Sequence, residues 1–445
     1  MLVFAWSLDD NVRLTRRTAQ AAGELFPEAA ALSDAELSFA GLNRRLSRQR
    51  EDWLVTLPAG SALLPELRIT LERWMERLRR ERLGWVRLLP AEHTDRRAHE
   101  TGESELLGIT LWHLDLLSAT AAGTVRLFPG ADELPFGRYA ELDGWLQAKL
   151  MHHGLCEPCA SWRPPPGRLA AWRKQDEEFA AVRPLLGPAP ALPVDDQEPE
   201  ISIALCVYNA ADYVLWAARS VIRQSSRRWE LVVVNDGSDD DTERKLSLLP
   251  DNDRIVVLRS GANRGKAHAL NLALKAARGR LLLELDADDW LPPGALSQLL
   301  SAETESGVRT ALWYGDYMQW QERRNRELVL KGYVRSCQSV DVRAMLIAGA
   351  PLIPRMYRTD ALRAIGGWPT DDPSGGRLYE DMNVIARLSR QYELKYIPAL
   401  LYHRRMRPAS VTRLHSKAYE DWGRWAAKRY CRPEGEAKTH PKEST

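Results

Sequence analysis

Residues 280–293 read RLLLELDADDWLPP, an apolar run from Leu281 to Leu285 that stops at Asp286-Ala287-Asp288-Asp289 and is followed by two prolines. A run of this length between turn formers reads as a buried strand rather than a helix. Its end carries three carboxylates within four residues. Such a group is costly to cluster unless a cation neutralises it, and hard divalent cations take oxygen ligands of this kind. The stretch therefore reads as a metal site holding a phosphorylated ligand. A solvated acidic turn is the bland alternative, and the flanking chain decides between them.

Upstream, Ile201 to Tyr208 is a strand candidate, Asp212 to Gln224 has helical spacing, and Trp229 to Val234 is a second strand ending in Asn235-Asp236-Gly237-Ser238. Thr242 to Leu249 reads as helix, Arg254 to Arg259 as strand and Lys266 to Ala277 as helix. Strands alternating with helices predict a parallel sheet with right-handed crossovers, whose ligands sit beyond the carboxyl ends of the strands. Tyr208, Asp236 and the Asp286 group each follow a strand directly, which favours a site over a bare turn. Further on, Ala311 to Trp320 and Tyr396 to Tyr402 read as strands, and Tyr379-Glu380-Asp381 opens a helix running to about Arg390. Acidic residues at a helix start also suit the dipole, so capping is the bland reading of Glu380 and Asp381.

The totals narrow the classes. At 445 residues there is room for two or three domains. With 62 basic against 60 acidic residues, composition makes no case for nucleic-acid binding. Five cysteines, mostly scattered, suit a reduced compartment. MLVFAWSLDD lacks the basic start and cleavage site of a signal peptide, and no apolar run reaches the roughly 18 residues of a membrane span. The expectation is a cytoplasmic protein. A Trp/Arg helix over Tyr419 to Tyr430 offers peripheral contact with the inner face of a membrane, or packing on the domain that precedes it.

Five ordered matches, CVYNAADYVLWAARSVIRQ, ELVVVNDGSDDDT, NRGKAHALNLALKAARGRLLLELDADD, GGWP and YED, make residues 201 to about 413 resemble a family 2 glycosyltransferase of the GT-A fold. The resemblance implies a Rossmann-like, mostly parallel sheet flanked by helices at 200–415, and an inverting, metal-assisted transfer from a nucleotide-diphosphate sugar, UDP-sugar foremost. It implies Tyr208 stacking on the base, Asp236 accepting from the base's ring N–H, and Arg264 and Lys266 meeting ribose or diphosphate. Asp286 and Asp288 match the D-x-D that binds ribose and Mg²⁺ or Mn²⁺, with Asp289 a further ligand, and Asp381 matches the general base beside Glu380. Where the family often has Arg-x-His-x-x-Ser, this chain has Arg405-Met406-Arg407-Pro408-Ala409-Ser410. Arg407 cannot ligate a cation but can bind phosphate. Either the metal has only the aspartates and diphosphate oxygens, or His403 substitutes. The implied setting is bacterial-type polysaccharide or glycoconjugate synthesis, with a glycan, lipid-linked or peptide acceptor. A nucleotidyltransferase would want a Gly-rich basic loop after the first strand, which CVYNAAD does not provide. A non-catalytic nucleotide-sugar scaffold or sensor is the alternative from another class.

Residues 1 to about 183 are helix-rich in pattern, and 184–199, PLLGPAPALPVDDQEP, reads as a linker. LNRRLSRQREDWLVTLPAGSALLP from Leu42 aligns without a gap on LNLALKAARGRLLLELDADDWLPP from Leu270. Pro58 then stands at Asp286 and Gly60 at Asp288, and LDGWLQAKL sets Asp143 against Asp381. The front is therefore expected to be a smaller α/β or α-rich domain, and a truncated, degenerate GT-A-like copy over 1–165 is the sharper expectation. Acceptor or carrier binding and homodimerisation are its expected uses. His152-His153-x-x-Cys156-x-x-Cys159 has zinc-knuckle residues, although the copy predicts an ordinary strand there. Residues 416–445 are expected to form one helix and a disordered tail.

Overall fold

The computed structural model describes residues 1–6, 12–31, 52–91, 108–114, 154–164, 198–322, 328–349, 352–407 and 418–430. They fall into two units, Met1–Pro188 and Ala189–Thr445. Asp143, the linker to residue 197 and the tail from residue 431 lie outside the described residues.

In the first unit, β1 (Leu2–Trp6), α1 (Val12–Leu25), β2 (Ala30–Ala31), β3 (Trp53–Pro58), β4 (Ala62–Leu63), α2 (Glu66–Glu81), β5 (Trp85–Pro90), β6 (Ile109–His113), β7 (Gly154–Cys159) and β8 (Trp162–Arg163) follow in order. The sheet runs β2-β1-β3-β6-β5-β7, and β4 pairs with β8. The helix-rich expectation needs correcting here: short apolar runs such as WLVTLP and ITLWH are buried along their whole length and pair as strands. Tertiary pairing overrides the helix propensity of an Arg-, Ala- and Leu-rich composition. Cys156 is exposed and Cys159 buried on β7, so successive side chains alternate and the two sulfurs face opposite ways. His152 and His153 lie outside the described residues.

The second unit contains β9 (Ile201–Val207), α3 (Val214–Ile222), β10 (Trp229–Asn235), α4 (Thr242–Leu246), β11 (Ile255–Arg259), α5 (Lys266–Ala276), β12 (Leu281–Asp286), α6 (Ala295–Thr304), β13 (Thr310–Glu322), β14 (Leu328–Val334), α7 (Val342–Ala348), β15 (Arg355–Arg358), α8 (Thr359–Ala364), α9 (Glu380–Leu388), β16 (Glu393–Met406) and α10 (Ala418–Tyr430). Its sheet runs β11-β10-β9-β12-β15-β13-β14, with β16 beside β13. The β9, β10, β11 and β12 ladders are parallel; β15 enters antiparallel between β12 and β13. The sheet is thus a mixed α/β one, parallel where the strand-helix alternation predicts it.

Strands buried on both faces read as continuous apolar runs. On β9, Ile201, Ile203 and Leu205 pack toward α3 and α6, whereas Ala204 joins the layer of α5, α7, α9 and α10. Trp422 and Ala426 of α10 are in that second layer, and Arg429 reaches Asp371 at 2.7 Å. Trp422 and Ala426 thus spend the apolar face of α10 on the domain's own core.

Candidate active site

The carboxyl ends of β9, β10 and β12 and the start of α9 gather the polar residues. Tyr208, directly after β9, is 47 % exposed. Its neighbour Asn209 is clamped to the β10 loop: the side-chain amide donates to Asp239 at 2.6 Å, and the Asp239 amide donates back at 3.0 Å. Asp236 is buried, and its carboxylate accepts from the amides of Arg264 (3.1 Å) and Gly265 (2.8 Å). It therefore holds the loop that leads into Lys266. A Cβ at Gly237, where φ is +71°, would lie 2.6 Å from the Ala262 backbone, so only glycine lets the two loops close.

Lys266, the first residue of α5, bridges Asp286 Oδ1 at 2.6 Å and Glu380 Oε1 at 3.1 Å. Burial disfavours its charge, but Asp286 and Glu380 outweigh it and hold the ammonium well above its ordinary range. Burial likewise opposes ionisation of Asp286, and Lys266 and Arg355 overrule it, keeping that carboxyl well below the usual range. Glu380 goes the other way: burial dominates over Lys266 and, with Asp381 and Glu284 nearby, lifts it to about 7.

Arg355, on β15, is the hub that sequence reading missed. Its guanidinium lies 3.0 Å from Glu284, 3.4 Å from Asp381 and 3.8 Å from Asp286. Glu284 is cross-strand from Arg355 in the β12–β15 register and also accepts from the Tyr357 hydroxyl at 2.6 Å. The signal was present as a charged residue inside an apolar run at each place, LLLEL and PRMY, but their pairing needs the antiparallel strand. Asp381, in the first turn of α9, accepts from the Met382 amide at 2.8 Å through one oxygen and faces Arg355 with the other, so it joins the cluster.

The remaining acidic residues diverge. Asp288 pairs with Arg407 at 2.5 Å. Arg407 stacks over Tyr213, 4.9 Å from the ring centroid, and the Tyr213 hydroxyl donates to Glu322 at 2.9 Å. Asp289 is buried and accepts from the Arg405 amide at 2.6 Å; burial and the adjacent carboxylates push its acid well above the usual range. It belongs to the turn's interior and not to an open ligand set, which corrects its expected place. His403 is corrected likewise: it is 1 % exposed, stacked on Trp290 with ring centroids 5.1 Å apart and an interplanar angle of 12°, and accepts from Trp320 Nε1 at 3.1 Å. Burial pushes it down to about 3, a neutral packing group. The structure thus brings Lys266, Asp286, Glu380 and Asp381 together around Arg355 and places Asp288 with Arg407. Arg264 contributes its backbone amide to Asp236, and its side chain lies 3.4 Å from His268.

Residues 202–378 match the family described as Glycosyl transferase family 2. This stretch belongs to glycosyltransferase family 2. The chain is 32 % identical over 120 residues to the succinoglycan biosynthesis protein ExoO of Rhizobium meliloti, covering 27 % of this chain and 34 % of that protein. It is 29 % identical over 147 residues to the Escherichia coli UDP-Glc:alpha-D-GlcNAc-diphosphoundecaprenol beta-1,3-glucosyltransferase WfaP, covering 33 % and 55 %. The chain thus spans between a third and somewhat over half of these relatives' lengths. Among solved structures, S. aureus TarS 1–349 in complex with UDP aligns with a TM-score of 0.38 and 19 % identity, over 47 % of this chain and 61 % of that one. No helix among the described residues is long and apolar enough to cross a membrane.

Proposed function

We propose that the second unit is an inverting, metal-assisted glycosyltransferase that moves a sugar from a nucleotide-diphosphate donor to an acceptor hydroxyl in bacterial-type polysaccharide or glycoconjugate synthesis. The observation that carries this reading is the sharing of Arg355 between Asp381 and Asp286, which sets a base candidate beside the donor carboxylates. Tyr208 is exposed for stacking on the base, and Asp236 keeps the Arg264–Lys266 loop in place beneath it. Asp381 takes the proton of the acceptor hydroxyl as it attacks the anomeric carbon from the face opposite the leaving diphosphate. Arg355, 3.4 Å away, orients that carboxylate.

Asp286 and Asp288 fit a divalent cation of the Mg²⁺ or Mn²⁺ kind, which is commonly held by one or two carboxylates together with substrate phosphates. Among the described residues no group of three or more His, Cys, Asp or Glu side chains is placed to hold a metal, so the donor's phosphate oxygens would have to complete the set. When bound, the ion neutralises charge on the leaving diphosphate. Arg407 now balances Asp288; freed from it, the guanidinium is positioned to bind diphosphate oxygens directly. The similarity to WfaP, a UDP-Glc:alpha-D-GlcNAc-diphosphoundecaprenol glucosyltransferase, supports a UDP-sugar donor and a lipid-diphosphate acceptor, hence work at a membrane surface.

The test is hydrolysis and transfer by purified protein over a panel of nucleotide sugars with and without Mn²⁺. Metal-dependent release of nucleotide from one sugar, abolished in Asp288→Asn, supports the reading; turnover unchanged by Asp288→Asn refutes it.

A further inference from the structure

Five strands of the first unit repeat five of the second in pairing and direction. In the first, β3 lies parallel to β1 and antiparallel to β6; β6 is antiparallel to β5, and β5 is parallel to β7. In the second, β12 lies parallel to β9 and antiparallel to β15; β15 is antiparallel to β13, and β13 is parallel to β16. The order along the chain is also the same. In both units the central strand comes second, a helix leads to the next strand, and the strand between those two in the sheet comes after both.

Register makes the match sharper than topology. The ungapped alignment that puts Pro58 at Asp286 also puts Leu54 at Leu282 and Thr56 at Glu284. Leu54 pairs with Trp112, and Leu282 with Tyr357. Trp112 pairs next with Trp85, and Tyr357 with Leu312; Trp85 then meets Gly154, and Leu312 meets Leu394. Counting on from those last partners reaches Arg163 and His403 at the same step. A separate antiparallel pairing closes the circuit there, Arg163 with Ala62 in a short ladder and His403 with Trp290 in a single bridge, the very positions that the ungapped alignment equates. Local bonds agree as well. The Ser61 amide donates to the Pro58 carbonyl at 3.2 Å, and the Asp289 amide to the Asp286 carbonyl at 3.1 Å. Trp112 Nε1 donates to Thr56 at 3.1 Å, where the Tyr357 hydroxyl donates to Glu284 at 2.6 Å.

The charged positions of the site differ. Thr56 and Thr110 face each other where Glu284 and Arg355 do. Pro58 and Gly60 replace Asp286 and Asp288. The turn is also shut: Pro58 and Ser61 are buried, and the Gly60 amide donates to Thr18 of α1 at 2.7 Å. The same strand and turn thus form without carboxylates, so the acidic turn of the second unit is not a requirement of folding. Among the described residues this turn offers no carboxylate, and its Pro58 carbonyl already accepts from the Ser61 hydroxyl at 2.7 Å, so it lacks the oxygen ligands that a hard divalent cation takes.

We propose that the first unit is a second copy of the glycosyltransferase fold that has lost its donor site, and that the chain binds one metal–nucleotide donor at Asp286–Asp288; the second clause rests on the function proposed above. The deciding experiment is a crystal structure of the full chain grown with UDP and MnCl₂, with manganese located by anomalous scattering. The expected result is superposition of the two units with Leu54 on Leu282, Trp112 on Tyr357 and Arg163 on His403, and no manganese at Pro58–Ser61. Different strand partners in residues 1–164 overturn the copy, and manganese with UDP at that turn overturns the single donor. The superposition is read whether or not manganese appears at Asp288, so a failure of the donor-site reading is distinguishable from a failure of the copy.

Discussion

Replacing Arg355 by methionine removes a cation that lies within 4 Å of three carboxylates, Glu284, Asp286 and Asp381. Arg355 and Glu284 are both nearly inaccessible to solvent, so their charges are weakly screened. Breaking a buried pair on one side costs about 3–5 kcal/mol, because the partner is left charged in a poor solvent. Lys266 still compensates Asp286, and the Tyr357 hydroxyl still donates to Glu284, which places the expected loss toward about 3 kcal/mol. Urea unfolding followed by tryptophan fluorescence reads this as a lowered midpoint, with Trp313 and Trp368 buried in the same unit as reporters. The double variant Glu284→Gln/Arg355→Met removes both charges and should recover roughly 1–3 kcal/mol relative to the sum of the single changes. A loss below about 1 kcal/mol for Arg355→Met, or strict additivity in the double variant, would refute the view of Arg355 as the site's hub.

Three further outcomes are expected. Arg407→Gln frees Asp288 from its internal counter-ion, so Mn²⁺ binding without nucleotide, followed by electron paramagnetic resonance, should tighten several-fold while UDP affinity falls; the ion pair is worth about 1 kcal/mol at this exposure. His403, held down to about 3 from an ordinary 6.5, stays neutral while the unfolded chain takes up its proton, so stability falls as pH falls through that window, by as much as about 5 kcal/mol in all. His403→Gln should flatten the pH dependence of the urea midpoint between pH 6.5 and 4. Asp236→Ala leaves the Arg264 and Gly265 amides without their acceptor, which should cost about 1–3 kcal/mol and loosen the loop before Lys266, seen as faster amide exchange at 262–266.

The parallel half of the second sheet was legible because its strands are continuous apolar runs, each ending on a polar residue: Val207 before Tyr208, Asn235 before Asp236, Leu285 before Asp286. β15 was not, since RMYR is short and half charged, and with it went the hub at Arg355. The strands of the first unit were hidden for another reason. WLVTLP and WVRLLP sit among Arg- and Leu-rich segments whose helical spacing is strong, and sequence separation conceals which runs pair. The turn aspartates could be found from their clustering, but not their fates. Asp289 turns inward to the Arg405 amide and Asp288 outward to Arg407, a division set by a strand more than a hundred residues away. Asp236 was legible as a site carboxylate, yet its grip on the Arg264–Gly265 amides comes from a loop packing that only the positive φ of Gly237 permits.

The central claim is that Asp381 removes the acceptor proton while taking little part in holding the donor. Asp381→Asn keeps the shape and the bond from Met382, and changes only the charge that faces Arg355. The measurement is calorimetric affinity for UDP with Mn²⁺ set beside the turnover of sugar transfer in the same preparation. Affinity should stay within a few-fold of the unaltered chain while turnover falls by about 10²–10⁴-fold. Turnover retained within about three-fold, with the donor still bound, would contradict the claim.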